Sequence, residues 1–213
     1  MDEPVVREGW PFVGLAALAA AAGWGAAGWP AGVPLALLAA LVANFFRNPD
    51  RPVPADPGLV VAPADGRVVE VADEPAPRLY GGAAKRVSIF MNVLDVHVNR
   101  APIAGRVAEV VYTPGRFLAA YAPKASLENE QNALLLEASS GRRVLLVQIA
   151  GLVARRIVNY ARPGDRLARG QRFGLIRFGS RVDVYLPPDA RLAVAPGGRV
   201  YAGSSVLAHL AGV

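Results

Sequence analysis

No charged side chain occurs between Glu8 and Arg47. At a rise of 1.5 Å per residue, a helix of that length overshoots a hydrocarbon core about 30 Å thick. The turn formers of GWPAGVP, Gly28 to Pro34, also break the run near its middle. The stretch therefore reads as two short helices in a hydrophobic hairpin occupying residues 1–48. Trp10, Trp24, Trp29 and the pair Phe45 and Phe46 fall where interfacial aromatics sit, and Arg47 and Arg51 follow the second segment. By the positive-inside rule both ends face the cytoplasm, with the hairpin in the cell membrane. A cleaved signal peptide fits less well, because acidic residues precede a run too long for one apolar signal core. The competing reading is an Ala-rich helical hairpin buried in a soluble protein. Whether the hairpin spans or only inserts is open.

After the proline-rich linker FFRNPDRPVPADPG, Phe45 to Gly58, the texture changes to short apolar runs punctuated by Gly, Pro and Asp. That is a β-rich pattern, and it assigns residues 49–213 to a compact antiparallel or sandwich-like domain. Two phrases recur in it, APADGRVVEV from Ala62 and APIAGRVAEV from Ala101. RPGDRLARGQRFGLI from Arg162 and APGGRVYAGSSVLAHL from Ala195 form a second pair, each running turn, short strand, Gly turn, strand. Such repeats resemble the half-barrels of lipoyl and biotinyl carrier domains, and their spacing is too irregular for a solenoid. The fold class is mainly β, α+β overall, with helix expected only in the hairpin and around Phe117 to Tyr121.

The formal charge is +6, which suits an anionic partner. Nucleic acid is the weaker choice, since the arginines are scattered and the lysines are only Lys85 and Lys124. There are no cysteines and two histidines, His97 and His209, so a zinc site has too few ligands and no metal is expected. Asp65, His97 and Ser180 make a Ser/His/Asp set on paper, without a G-x-S-x-G elbow. Taken singly, Asp65 before Gly66 is a favoured turn residue, and a Gly-Ser step inside a strand is commonly a bulge.

Five phrases in order change that weighting: FFRNPDR, PADGRV, DVHVNRAP, ASLENEQN and IRFGSRVDVYLP. Together they resemble the short form of phosphatidylserine decarboxylase, from the hairpin to the C-terminus. The resemblance implies one inactive chain that cuts itself between Gly179 and Ser180, into a β chain 1–179 and an α chain 180–213. Long relatives carry Leu-Gly-Ser-Thr at the cut and short ones Phe-Gly-Ser-Arg, as here. It also implies a pyruvoyl group made from Ser180, with no metal. The pyruvoyl ketone condenses with the substrate amine and draws off the electron pair left by carbon dioxide.

The same resemblance matches Asp65 to an aspartate and His97 to a histidine that serve the serine in self-cleavage. Long forms carry two histidines in the matching stretch, whereas Arg100 stands here in place of the second. His97 is thus expected in self-cleavage, in decarboxylation, or in both. Arg47 and Arg51 are candidate lipid-phosphate contacts, with an ordinary positive-inside flank as the plainer reading. The implied substrate is an anionic membrane phospholipid. Alternatives are archaetidylserine, a free amino acid decarboxylated by the same chemistry, or a non-catalytic lipoyl-like carrier domain. A carrier needs a lysine at a tight hairpin, a setting that neither Lys85 nor Lys124 has. Oligomeric state is open.

Overall fold

A computed structural model describes residues 3–119, 128–152, 156–177 and 179–211. The chain divides into two compact units, Met1–Asp50 and Arg51–Val213.

In the first unit a 3-10 turn, Arg7–Gly9, leads into α1 (Trp10–Ala27), and α2 (Trp29–Phe45) follows directly after Gly28. The expected hairpin is present. Pro11 and Pro30 sit in the first turns of their helices, where a missing N–H breaks no bond. Leu15, Leu18, Trp29 and Leu37 are each at least two-thirds exposed, so both helices show apolar side chains outward, as segments solvated by lipid do. Arg7–Ala27 is long and apolar enough to cross a membrane, whereas Trp29–Phe45 is shorter.

The second unit is an internally duplicated β fold whose named strands all pair antiparallel, with one isolated parallel bridge between Arg116 and Asn129. Its first half contributes β1 (Leu59–Val61), β2 (Gly66–Glu74) and β3 (Ala84–Met91). After an interruption the same half resumes with β11 (Ser180–Leu186), β12 (Arg191–Leu192), β13 (Arg199–Val200) and β14 (Val206–His209). Between them lies the second half: β4 (Val98–Arg100), β5 (Gly105–Thr113), β6 (Gln131–Glu137), β7 (Arg143–Ile149), β8 (Ile157–Asn159), β9 (Arg166–Leu167) and β10 (Arg172–Ile176).

Pairings in the halves correspond one for one. The large sheet runs β13-β2-β3-β11-β7-β6-β5-β9, and two small sheets, β1-β14-β12 and β4-β10-β8, complete the halves. Even the irregularities repeat, with a bulge between Val68 and Glu70 in one half and between Val107 and Glu109 in the other. The recurring phrases in the sequence are these equivalent pieces: the Gly-Arg-Val at 66–68 opens the nine-residue β2 and that at 105–107 the nine-residue β5. A curled, half-barrel β fold is what the texture predicted.

Between the small sheets and the inner face of the large one lies a core that includes Val68, Ile89, Val107, Leu134, Leu146, Phe173 and Val182, all fully buried. The halves join where β11 pairs with β7. Phe117 to Ala119 lack helical structure; the rest of the expected helix to Tyr121, and Ala125 to Leu127 of ASLENEQN, lie outside the described residues.

Candidate functional site

Because one half is inserted into the other, the chain passes between halves twice, at residues 92–97 and at residues 177–179. The described ends of the two crossings lie side by side. Met91, where the first begins, is opposite Ser180, where the second ends. His97, at the end of the first, accepts at its carbonyl a 3.3 Å hydrogen bond from the amide of Ile176, where the second begins. Duplication thus brings His97 and the Gly179-Ser180 step to one end of the large sheet, although they are far apart in sequence.

Gly179 has φ +58° and a hypothetical Cβ there meets nothing within 4 Å. The left-handed backbone, rather than lack of room, is the reason for glycine. Ser180 is fully buried at the start of β11, held between β3 and β7, and its hydroxyl lies 3.4 Å from the Met91 sulfur.

His97 is 1% exposed, and its Nδ1 lies 2.9 Å from the Asp95 main-chain carbonyl. A carbonyl only accepts, so Nδ1 carries a proton, which leaves Nε2 as the nitrogen that can give or take one. The turn before it is built by its own side chains. Asp95 Oδ2 accepts from the amide of Asn92 at 2.9 Å, Asn92 Oδ1 from that of Leu94 at 2.8 Å, and Arg199 donates to Asp95 Oδ1.

Asp65 lies in the turn before β2, 3% exposed. Its Oδ2 accepts from Arg51 Nη2 at 2.6 Å and its Oδ1 from the Ala202 amide at 2.8 Å. Burial pushes its carboxyl above the usual range, against the opposing pull of the Ala202 amide and Arg51. The Arg51 guanidinium also stands 5.2 Å from the centre of the Tyr201 ring, whose other neighbour is Arg199 at 5.7 Å. Arg51 commits Nη2 to Asp65, one nitrogen of a guanidinium with five N–H donors. Arg47, in the other unit, donates to the Asn44 carbonyl at 2.7 Å, at the end of α2. Arg100 is buried and donates to the Gly170 carbonyl at 3.1 Å.

Composition reasoning overlooked one feature, a row of buried amides behind Ser180. Asn132 Nδ2 donates to Gln148 Oε1 at 3.0 Å, and Gln148 Nε2 donates to Asn99 Oδ1 at 2.8 Å. Asn99 Nδ2 in turn lies 3.9 Å from the Met91 sulfur. These three amides, each at most 4% exposed, are satisfied mainly by one another. Their only sequence signal was polar residues at inward positions of strands. Among the described residues no group of three His, Asp or Glu side chains is placed to hold a metal.

The profile of the family described as Phosphatidylserine decarboxylase matches residues 38–208. Among similar proteins, the phosphatidylserine decarboxylase proenzyme of Symbiobacterium thermophilum is 53% identical over 212 residues, 99% of this chain and 98% of that protein. The proenzyme of Burkholderia ambifaria is 52% identical over 206 residues, 97% of this chain and 96% of that one. That of Nitrosomonas eutropha is 53% identical over 205 residues, 96% and 94% of the two chains. A family match over most of the chain, together with relatives sharing half its residues along nearly their whole length, means that this chain belongs to the phosphatidylserine decarboxylase family.

Proposed function

We propose that this chain is a self-processing proenzyme that, once cut between Gly179 and Ser180, decarboxylates phosphatidylserine to phosphatidylethanolamine and carbon dioxide. The observation that carries the processing step is the pairing of a left-handed Gly179 with a buried Ser180 at the crossing that runs beside His97. In the first step Ser180 Oγ adds to the Gly179 carbonyl carbon and its proton passes to His97 Nε2. The Gly179–Ser180 C–N bond then breaks, the freed nitrogen takes a proton, and an ester links the two residues. Loss of the Ser180 α-proton breaks the Cβ–Oγ bond and releases Gly179 as a carboxylate. Hydrolysis of the remaining dehydroalanine expels ammonia and leaves the pyruvoyl group.

The structure fits such a group at position 180. Ser180 to Leu186 pair with Met91 to Lys85, so a new chain end at 180 is still held in the sheet. The pyruvoyl carbonyl supplies an electron sink for an amine-bearing substrate. His97, as the neutral Nδ1–H tautomer, serves as base in processing and returns a proton at Nε2 to the carbon that loses carbon dioxide. His209, the other histidine, lies on β14 with its side chain exposed. Asp65 keeps Arg51 and the amide of Ala202 in place around this end of the fold. The hairpin holds the enzyme at the cell membrane, with residues 49–213 on the cytoplasmic side.

Intact mass under denaturing conditions tests this reading. The expected result is two chains divided at 179/180, the smaller lighter by one ammonia than a serine-started peptide. Ser180→Ala should remain one chain, and so should His97→Ala. A fully processed and active His97→Ala variant would remove His97 from the mechanism. Deleting residues 1–44 should leave processing intact and lower activity on bilayer lipid.

A further inference from the structure

In the unit Arg51–Val213, among the described residues, three aliphatic side chains are more than half exposed: Val93 at 54%, Leu94 at 61% and Leu152 at 67%. They are not scattered. Val93 and Leu94 lie just past the end of β3, and Leu152 just past the end of β7. These are the two strands that flank β11, and both run antiparallel to it, so both loops emerge beside Ser180. Leaving three aliphatic side chains in water at one edge costs burial energy that the core does not recover.

Cations and an aromatic surround the same edge. Arg156 is exposed and its carbonyl accepts from the amide of Arg177, at the start of the second crossing. Arg199 holds Asp95 in the loop that carries Val93 and Leu94, and Tyr201, 45% exposed, stands between Arg199 and Arg51. The acidic groups here, Asp65 and Asp95, are each bound to an arginine. Apolar tips ringed by arginines and a tyrosine match the order of layers at an anionic lipid surface.

We propose that the loops bearing Val93, Leu94 and Leu152 dip into the headgroup–acyl boundary of an anionic phospholipid bilayer and bring position 180 to it. This contact is made by the catalytic unit itself, in addition to the hairpin, and it rests on the reading of a membrane phospholipid as substrate. It explains how a buried reactive residue meets a substrate that stays in the bilayer: the strand ends that hold it are the ones that touch lipid.

The chain has no cysteine, so a single introduced thiol labels cleanly. Full-length Leu94→Cys, Leu152→Cys and Ser140→Cys would each carry a solvatochromic dye; Ser140 is exposed in the β6–β7 turn, at the opposite end of β7. With vesicles of mixed phosphatidylglycerol and phosphatidylcholine, emission should shift to the blue at 94 and 152 and stay put at 140. Shifts absent from all three sites would overturn the proposal. So would equal shifts on pure phosphatidylcholine, or shifts that follow protein concentration without lipid, the mark of a second copy or a protein partner.

A second pair of variants, Leu94→Asp and Leu152→Asp, should self-process normally. Each should lose about tenfold in activity on phosphatidylserine vesicles, with little change on a short-chain, water-soluble phosphatidylserine. Equal activity on vesicles would count against the contact. A blue shift in a processed chain that fails to decarboxylate either lipid would instead leave the surface standing and overturn the substrate reading.

Discussion

Ser180 and Met91 face one another across β11 and β3, with the Ser180 hydroxyl 3.4 Å from the Met91 sulfur. A thioether is a weak acceptor, so the sulfur orients the hydroxyl without tying up its nucleophilic lone pairs. Met91→Leu keeps the volume, and should cost less than about 1.5 kcal/mol and still be cut. Met91→Ala should cost about 2–5 kcal/mol by opening a cavity next to Ser180, and should slow cutting. Thermal unfolding in an uncut Ser180→Ala background, with a mass time course for cutting, separates the two effects.

Gly66 and Gly179 both have positive φ, yet should respond differently to alanine. At Gly179 the added methyl meets nothing within 4 Å, so Gly179→Ala should cost about 1–2 kcal/mol from backbone torsion alone. At Gly66 it would lie 2.1 Å from the Phe90 carbonyl oxygen, against the main chain of the paired strand. Gly66→Ala must push β2 off β3, and should lower the melting temperature well beyond what Gly179→Ala does. Similar melting temperatures would contradict the steric argument.

The amide row predicts that Gln148 is costly to replace by an apolar residue of similar size. Gln148→Leu leaves the Asn132 and Asn99 side chains each short of a buried partner, at about 1–3 kcal/mol apiece. Replacing Asn132 and Gln148 by Leu together should cost less than the sum of the separate losses, because the Asn132–Gln148 partner orphaned by either change is removed by the other, leaving only Asn99 short. Strict additivity in a double-mutant cycle would mean that the row does not act as a unit.

Acid lability should trace partly to Arg142 and Asp189. Arg142 donates to both Asp189 oxygens, at 2.8 and 2.7 Å, and this holds the Asp189 carboxyl below its usual range. A depressed folded-state pKa means that the unfolded chain binds the proton more readily. The contribution is therefore present above the ordinary aspartate pKa of about 4 and lost as pH falls through the folded value. Asp189→Asn should lower the melting temperature slightly at neutral pH and flatten its fall toward acid; an unchanged slope would count against this pair.

Features carried by neighbours in sequence were legible from the chain alone. The uncharged run with a turn at its centre set out a helical hairpin, and the Gly-Arg-Val phrases set out the strands that became β2 and β5. Gly179-Ser180 was singled out by the resemblance of its phrase to the family's cut site, since a Gly-Ser step taken alone reads as a bulge. The half-barrel form was legible in the repeats, but the insertion of one half within the other was not, since it depends on which strand lies beside which. Pairing β11 between β3 and β7 is decided by burial across the whole sheet. Only that arrangement turns Asp65 to Arg51 and lines up Asn132, Gln148 and Asn99 behind Ser180. Each of these contacts joins side chains whose distance is set by packing, and packing is a property of the folded whole.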